Sequence, residues 1–199
     1  MSGRGRASVP CPEAGVDEVG RGALAGPVVV AAVVLDPDDV PEGLRDSKLL
    51  TVARRETLDG QIRRRALGVA VVELPAPLID LWDIRRATLL AMSWAIARLE
   101  ALPSRVIVDG RDRPYARLPL EARVGADRSV PAVSAASIVA KVHRDARMVA
   151  YAGLYPDYGF ERHKGYPTAD HRRRLVRHGP CPLHRRSFAP VARCREPAP

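Results

Sequence analysis

The chain of 199 residues contains little cysteine, little lysine and no long apolar segment. Its three cysteines, Cys11, Cys181 and Cys194, lie near the termini without the paired spacing of a zinc site. We therefore expect neither a disulfide framework nor structural zinc, and a reducing cytoplasm is the natural setting. No run approaches the roughly 18 apolar residues of a membrane span. The first residues carry arginines but lack the apolar core of a secretory signal.

Internal repeats and low-complexity linkers are also absent, and 46% of the residues are hydrophobic. A chain of this length and composition can bury one substantial core. We therefore predict a single domain over residues 14–191 that includes a small C-terminal helical lobe. A disordered segment at residues 1–13 precedes it in this prediction and a tail at residues 192–199 follows it. A monomer is the default expectation.

Positive charge is the main compositional feature, with a formal net charge of +9 and a pI near 10.2. Such a balance favours a polyanionic partner, because basic side chains neutralise phosphates and release counterions. Of the 32 basic residues only Lys48, Lys141 and Lys164 are lysine, and all three lie in segments that look functional on other grounds. Since arginine and lysine are not interchangeable near a metal or phosphate, the bias favours a need for a compact ammonium at these positions, and chance placement of three lysines is the alternative.

The apolar pattern predicts a hairpin near the N-terminus, followed by alternating strands and helices. Strands are expected at residues 15–19, 26–35, 66–74, 105–109 and 121–125. Helices are expected at residues 52–65, 78–102, 133–151 and 169–178, and residues 156–167 are expected to be irregular. Asp109 and Gly110 follow a short apolar strand, and open sheets that contain parallel strands bind ligands at such strand ends.

Two adjacent carboxylates, Asp17 and Glu18, stand directly before the turn Gly20-Arg21-Gly22. Adjacent acids repel each other, so their retention at an apolar strand end suggests a nearby cation. Glycines let backbone N–H groups approach a phosphate or sugar, and arginine adds a planar donor. The alternative is a plain turn with solvated charges.

The helix at residues 133–151 carries a polar stripe on a mostly apolar sequence. Ser134, Ser137, Lys141 and Asp145 recur at spacings of three and four, which places them on one helix face. Taken alone, this stripe fits a solvent-exposed face and the wall of a site equally well.

Four acids are placed where they can act together: Asp17, Glu18, Asp109 and Asp145. Hard divalent cations prefer oxygen ligands, and two ions about 3.5–4 Å apart can clamp the attacking and leaving oxygens in phosphoryl transfer. Neighbours on a regular strand point to opposite faces, so the strand must end or bulge for Asp17 and Glu18 to share one site.

Several motifs together resemble the bacterial type 2 ribonuclease H family, ribonuclease HII. They cover roughly residues 14–191 in order, and the combination is highly specific. The matching segments are Asp17-Glu18-Val19-Gly20-Arg21-Gly22, Asp46-Ser47-Lys48, Val108-Asp109-Gly110, residues 134–142 with Arg144-Asp145, residues 163–168, and His184-Arg185-Arg186-Ser187-Phe188.

The resemblance implies an α/β fold, a ribonuclease H-like mixed sheet flanked by helices. It implies hydrolysis of the RNA strand of RNA/DNA hybrids and cleavage 5′ to single ribonucleotides in duplex DNA, leaving 5′-phosphate and 3′-hydroxyl ends. Mg²⁺ or Mn²⁺ would be held by the four acids, in a two-ion site. The substrate-binding residues carried over by position are Gly20, Arg21 and Gly22, which read the 2′-hydroxyl, Tyr166, which stacks at the RNA–DNA junction, and Lys48, Ser137, Lys141 and Lys164.

Two positions depart from the family pattern. Gly125-Ala126 stands before Asp127 where the family usually has lysine-glycine, which puts a backbone contact from that loop in doubt. Asp83 stands where an asparagine is more usual. Neither departure touches the four acids, so we expect activity to be retained.

Two other functions are weighed against a metal-dependent endoribonuclease. A type 1 ribonuclease H would share the fold, but the chain lacks a matching order of acids and carries the glycine-arginine-glycine turn. A non-catalytic basic nucleic-acid-binding protein would explain the charge, but not four acids in the least polar elements of a basic chain. Metal-dependent cleavage of a labelled duplex separates these alternatives.

Overall fold

A computed structural model describes residues 12–44 and 50–194 of the chain. Five strands form one mixed sheet in the order β3-β2-β1-β4-β5. β1 pairs antiparallel with β2 and parallel with β4, β2 pairs antiparallel with β3, and β4 pairs parallel with β5. The strands are β1 Ala14–Val19, β2 Val28–Val34, β3 Gly68–Leu74, β4 Val106–Asp109 and β5 Leu120–Arg123.

The hairpin predicted near the N-terminus is confirmed. β2 has the sequence VVVAAVV and is buried throughout, as expected for an inner strand covered on both faces. The pairing of β1 with β2 is regular, with Asp17 opposite Ala31 and Val19 opposite Val29. The mixed sheet flanked by helices agrees with the predicted fold class.

Helices cover both faces of the sheet. The helices are α1 Val52–Arg65, α2 Ala76–Trp82, α3 Ile84–Ala97, α4 Pro131–Leu154, α5 Phe160–His163, α6 Ala169–His178 and α7 Ala189–Ala192. α4 packs on β1 and β2 with α1 beside it, and α3 packs on the opposite face. A Cβ on Gly15 would lie 2.1 Å from the backbone of Ala132, so glycine permits the close approach of α4 to β1.

The prediction of one helix over residues 78–102 was wrong, because the chain breaks at Asp83. Asp83 has a positive φ of 64° with ψ 160°, which ends α2, and its carboxylate accepts from the Arg86 N–H at 2.9 Å, which caps α3. Aspartate and asparagine are both favoured at the N-cap of a helix, because their side-chain oxygen accepts from the first free N–H groups. The asparagine usual in the family at this position would meet the same demand.

The prediction that residues 156–167 are irregular was wrong in part. A 3₁₀ turn occupies Pro156–Tyr158, and α5 follows it. α4 also extends beyond the predicted residues 133–151 at both ends, beginning at Pro131, where the missing N–H of proline costs the helix nothing. Among the described residues, no helix is both long enough and apolar enough to cross a membrane.

Candidate active site

Two of the predicted acids lie side by side at the ends of neighbouring parallel strands. The pairing of β1 with β4 continues to Val16 opposite Val108, so the next residues, Asp17 and Asp109, are neighbours. Both alternate to the face covered by α4, since Val16 and Val108 belong to the core on the other face. The strand-end position predicted for Asp109 is confirmed.

Glu18 joins these two acids without a bulge. β1 keeps its regular register with β2 to Val19 and ends there, one residue after Glu18. The strand therefore ends at the site, which is one of the two arrangements that the sequence requires. A cavity of about 360 Å³ is lined by Asp17, Glu18, Val19, Arg55, Asp109, Ser137, Lys141 and Tyr166.

The carboxylates in this cavity are held in an unfavourable environment for negative charge. Burial raises the pKa of Asp17 to about 8, with further contributions from the charges of Glu18 and Asp109 and a partial offset from a hydrogen bond with Ser137. Burial also raises the pKa of Glu18, and Arg21, whose Nη1 lies 3.4 Å from Glu18 Oε1, opposes that shift. Burial and mutual repulsion therefore oppose the ionisation of Asp17 and Glu18, even though Arg55 and Lys141 also line the cavity.

The donor set suits a hard divalent cation, because carboxylate oxygens are its preferred ligands and a cation would offset the repulsion among these acids. As the side chains stand, no three acidic, histidine or cysteine residues within residues 12–44 and 50–194 converge closely enough to hold one ion. The chemistry of the cavity thus fits a metal, whereas the side-chain positions are not those of a formed coordination sphere.

Asp145 lies apart from the other three acids. It lines an adjoining cavity with Arg55 and Lys164, and its Oδ1 accepts from Lys141 Nζ at 2.9 Å. Lys141 also lines the first cavity, so it lies between the two. The role of Asp145 as a metal ligand stays a prediction.

The turn Gly20-Arg21-Gly22 directly follows β1, and its two glycines have different surroundings. Gly20 has φ 94°, and an added Cβ would lie 2.2 Å from Arg144 Nε. An added Cβ on Gly22 would meet nothing within 4 Å. The backbone at Gly22 is therefore open to an approaching molecule, whereas Gly20 packs against the protein.

Two arginines that the sequence reasoning did not assign support the backbone of this turn and of the segment that follows it. Arg144 and Arg185 are fully buried and donate to backbone carbonyls. Arg144 Nε donates to Pro27 O at 2.9 Å, and Arg185 Nη1 donates to Arg21 O at 2.9 Å. Burial lowers the pKa of Arg185 to about 9, with a contribution from the charge of Arg144. Carbonyl partners leave no pattern in the sequence, so only the folded chain reveals these contacts.

Tyr166 lies in the wall of the acid cavity rather than in the apolar core. The guanidinium carbon of Arg144 lies 5.2 Å from the centroid of its ring. Lys164, two residues earlier, adopts φ 51° and lines the adjoining cavity. Arg55, which the sequence reasoning missed, lines both cavities, and Lys48 lies outside the described residues.

The family model described as Ribonuclease HII matches residues 14–191, nearly the whole chain. The chain belongs to the ribonuclease HII family. Its similarity to a curated member, ribonuclease HII of Paracidovorax citrulli, is 55% identity over 179 residues, which cover 90% of this chain and 75% of that protein. Ribonuclease HII of Bordetella pertussis is 50% identical over 185 residues, covering 93% and 92%.

Among solved structures, ribonuclease H2 from Pyrococcus horikoshii OT3 superposes with a TM-score of 0.80 at 26% identity, covering 92% of this chain and 96% of that one. Ribonuclease HII enzymes hydrolyse the RNA strand of RNA/DNA hybrids and cut at ribonucleotides in DNA. The chain is therefore an endoribonuclease, and the sequence resemblance to ribonuclease HII is confirmed. This result excludes the non-catalytic nucleic-acid-binding alternative.

The two departures from the ribonuclease HII pattern leave the acid cavity intact. Ala126 donates its backbone N–H to Asp109 Oδ1 at 2.8 Å, after Gly125 in the left-handed region with φ 73°. The loop thus makes a backbone contact to a site acid despite the replacement.

Ser134 of the polar stripe is buried and donates to the carbonyl of Asp127, so it secures this loop instead of lining the cavity.

Proposed function

We propose that this ribonuclease HII is a divalent-metal-dependent enzyme that cuts 5′ to a ribonucleotide embedded in duplex DNA, leaving 5′-phosphate and 3′-hydroxyl ends. The observation that carries the proposal is the meeting of Asp17, Glu18 and Asp109 in one cavity with Tyr166 in its wall. The open backbone at Gly22 lies a few residues along the chain from these acids.

Metal binding is assigned to Asp17, Glu18, Asp109 and Asp145, with Mg²⁺ or Mn²⁺ in a two-ion arrangement. The raised pKa of Asp17 supports this assignment, because a bound cation would stabilise the ionised carboxylates. When bound, the ions would supply an activated water and neutralise charge on the scissile phosphate. Ser137, hydrogen-bonded to Asp17, would hold that carboxylate in place.

Recognition of the ribonucleotide is assigned to Gly20, Arg21 and Gly22. A backbone without side-chain obstruction at Gly22 allows N–H and C=O groups to reach a 2′-hydroxyl, the group that distinguishes RNA from DNA. Arg21 is held between Glu18 and Asp112, with its Nη2 lying 3.7 Å from Asp112 Oδ2. These contacts keep the turn in one position beside the acids.

Binding of substrate phosphates is assigned to Lys48, Lys141 and Lys164. Tyr166 is assigned to stack at the junction between ribonucleotide and deoxyribonucleotide. Lys141 lines the acid cavity and Lys164 the adjoining one, with Arg55 shared by both, so positive charge borders the path from one cavity to the next. Lys48 stays part of the proposal on the sequence motif alone.

We also propose that the protein acts as a monomer in the cytoplasm. Cys181 and Cys194 are free thiols, which supports a reducing compartment. An RNA/DNA hybrid and a ribonucleotide-containing duplex are the expected partners, in accord with the net charge of +9.

A cleavage assay on the full chain tests this function. The substrate is a labelled DNA duplex with one ribonucleotide, incubated with Mg²⁺, with Mn²⁺ or with excess chelator, and the product ends are mapped. We expect a single cut on the 5′ side of the ribonucleotide with metal and none with chelator. Equal cutting in chelator, or no cutting with either ion, would contradict the proposal.

A further inference from the structure

A buried cluster of histidines lies behind Tyr166 and outside the acid cavity. His163, His171 and His184 have exposed fractions of 9%, 0% and 2%, and their rings contact one another. None of the three lines the acid cavity. Because each ring nitrogen must either donate or accept, their neighbours decide where the protons lie.

The backbone of Cys181 determines which nitrogen of the His184 ring carries the proton. Its N–H donates to His184 Nδ1 at 3.1 Å, and an N–H group cannot accept, so Nδ1 carries no proton. Burial lowers the pKa of His184 to about 3, which keeps the ring neutral at pH 7. The single ring proton of His184 therefore lies on Nε2.

His184 in turn determines which nitrogen of His171 carries the proton, and His171 contacts the Tyr166 backbone. The Nε2 atoms of the two rings lie 3.1 Å apart, so the Nε2 of His171 must accept. Burial lowers the pKa of His171 to about 4, and its one proton then lies on Nδ1, 3.0 Å from the carbonyl oxygen of Tyr166. The chain of donors runs one way, from Cys181 to Tyr166.

The residues on either side of this carbonyl are held from other elements. Arg144 Nη1 donates to Lys164 O at 2.9 Å, and Leu24 N donates to Gly165 O at 2.8 Å. The N–H of Gly165 donates to His163 Nδ1 at 3.2 Å. Each residue from 164 to 166 is thus held by a different part of the protein, while the Tyr166 ring faces the acid cavity.

We propose that the hydrogen-bond chain Cys181–His184–His171 positions Tyr166, and that His171 is a positioning residue for recognition of a single embedded ribonucleotide. This inference rests on the proposed role of Tyr166 at the junction. A stacking ring works only at a defined distance and angle from the acids, and buried donors with fixed proton positions hold its backbone. Long hybrids offer many registers for cutting and depend less on this contact.

The first test observes the protons directly and needs no variant. Long-range ¹H–¹⁵N correlation spectra of the full-length chain at pH 7 distinguish the two neutral histidine tautomers from the charged ring. We expect the Nδ1–H tautomer for His171 and the Nε2–H tautomer for His163 and His184. A His171 ring protonated on Nε2, or on both nitrogens, would overturn the proposal.

The second test measures a selectivity ratio, defined as kcat/KM on a duplex with one ribonucleotide divided by kcat/KM on a long RNA/DNA hybrid. His171→Leu removes the donor and should lower the ratio roughly tenfold, as expected for a small misplacement of a positioning group. His171→Asn, whose amide can donate from the place of Nδ1, should restore most of the ratio. Failure of the asparagine variant to restore it would show that the donor is not what matters.

Two matched variants separate the possible failures. Tyr158→Phe removes a buried hydrogen bond to Gly179 O in the same cluster and should leave the ratio unchanged. If Tyr166→Ala leaves the ratio unchanged, the proposed role of Tyr166 fails. If Tyr166→Ala lowers it but His171→Leu does not, the role of Tyr166 stands and the positioning inference fails. Equal loss on both substrates in His171→Leu would mark His171 as a merely structural residue.

Discussion

Arg144 lies against the ring of Tyr166, with its guanidinium carbon 5.2 Å from the ring centroid. The same buried guanidinium donates to Ala25 O, Pro27 O and Lys164 O, so it joins the segment after the glycine-arginine-glycine turn to the segment that carries Tyr166. One side chain therefore fixes the distance between the glycine-arginine-glycine turn and Tyr166, the two features assigned to substrate recognition.

Arg144→Lys should destabilise the fold, because one ammonium cannot satisfy three carbonyls that lie in different directions. We expect the free energy of unfolding to fall by about 2–3 kcal/mol, the cost of leaving buried polar groups unpaired. Arg147→Lys on the same helix is the control, since Arg147 is half-exposed and pairs with Glu73. Urea denaturation measures both, and similar small losses in the two variants would contradict this role.

Asp109→Asn should abolish turnover while leaving folding and hybrid binding intact. The amide oxygen can still accept from the Ala126 N–H, but the charge that holds a cation is lost. Retention of more than about a tenth of the wild-type kcat, a barrier change below about 1.4 kcal/mol, would mean that Asp109 is structural. Asp59→Asn on α1, where the native carboxylate pairs with Arg63, serves as the control for loss of one acid.

Tyr166→Ala should reduce cleavage at an embedded ribonucleotide by roughly ten- to a hundredfold, because stacking on a base or sugar contributes about 1–3 kcal/mol. Metal dependence and thermal stability should change little, since the ring lines a cavity. Single-turnover rates and a melting curve provide the readouts. Unfolding several degrees earlier, together with equal loss on every substrate, would identify Tyr166 as a core residue.

Gly22→Ala and Gly20→Ala should have opposite effects on stability: the first should keep it and the second should lower it. A methyl at Gly22 meets no protein atom, so stability should be kept while cleavage at a ribonucleotide falls if the backbone there contacts the 2′-hydroxyl. A methyl at Gly20 is strained by φ 94° and by the contact with Arg144, so stability should fall. Wild-type activity in Gly22→Ala would remove the turn from the reading of the 2′-hydroxyl.

Acid should destabilise the protein through its buried histidines. The folded-state pKa values of His171 and His184, about 4 and about 3, lie below the unfolded value of about 6.5, so the unfolded chain binds more protons as pH falls below 6.5. The charged or titratable groups that face these two rings are Tyr158, His163, Asp170, Cys181 and Arg186.

The expected loss at pH 5 relative to pH 7 is about 2 kcal/mol for each histidine. Unfolding by urea at the two pH values measures it. His171→Asn should show a smaller loss over the same interval, because one titrating ring is gone. The raised pKa of Asp17 acts in the opposite direction over this interval, so the test is the comparison between the wild type and His171→Asn. The same change in the free energy of unfolding in both proteins would contradict the neutral, buried state of His171.

The sequence alone predicted the parts of this protein that rest on local patterns. Alternating and continuous apolar runs gave the five strands, and the helix at residues 169–178 has the predicted bounds, with Thr168 accepting from the His171 N–H as its cap. The strand-end position of Asp109 followed from the same patterns, because a polar residue that closes a short apolar strand stands at the edge of a sheet.

Only the tertiary structure decided how these parts meet. It placed Glu18 in the cavity at the end of β1, paired Asp145 with Lys141, and broke the long helix at Asp83. The buried arginines and the histidine chain act on backbone carbonyls far away in sequence. Since every residue carries a carbonyl, such partners have no signature in side-chain type or spacing, and the contacts exist only once the chain is folded.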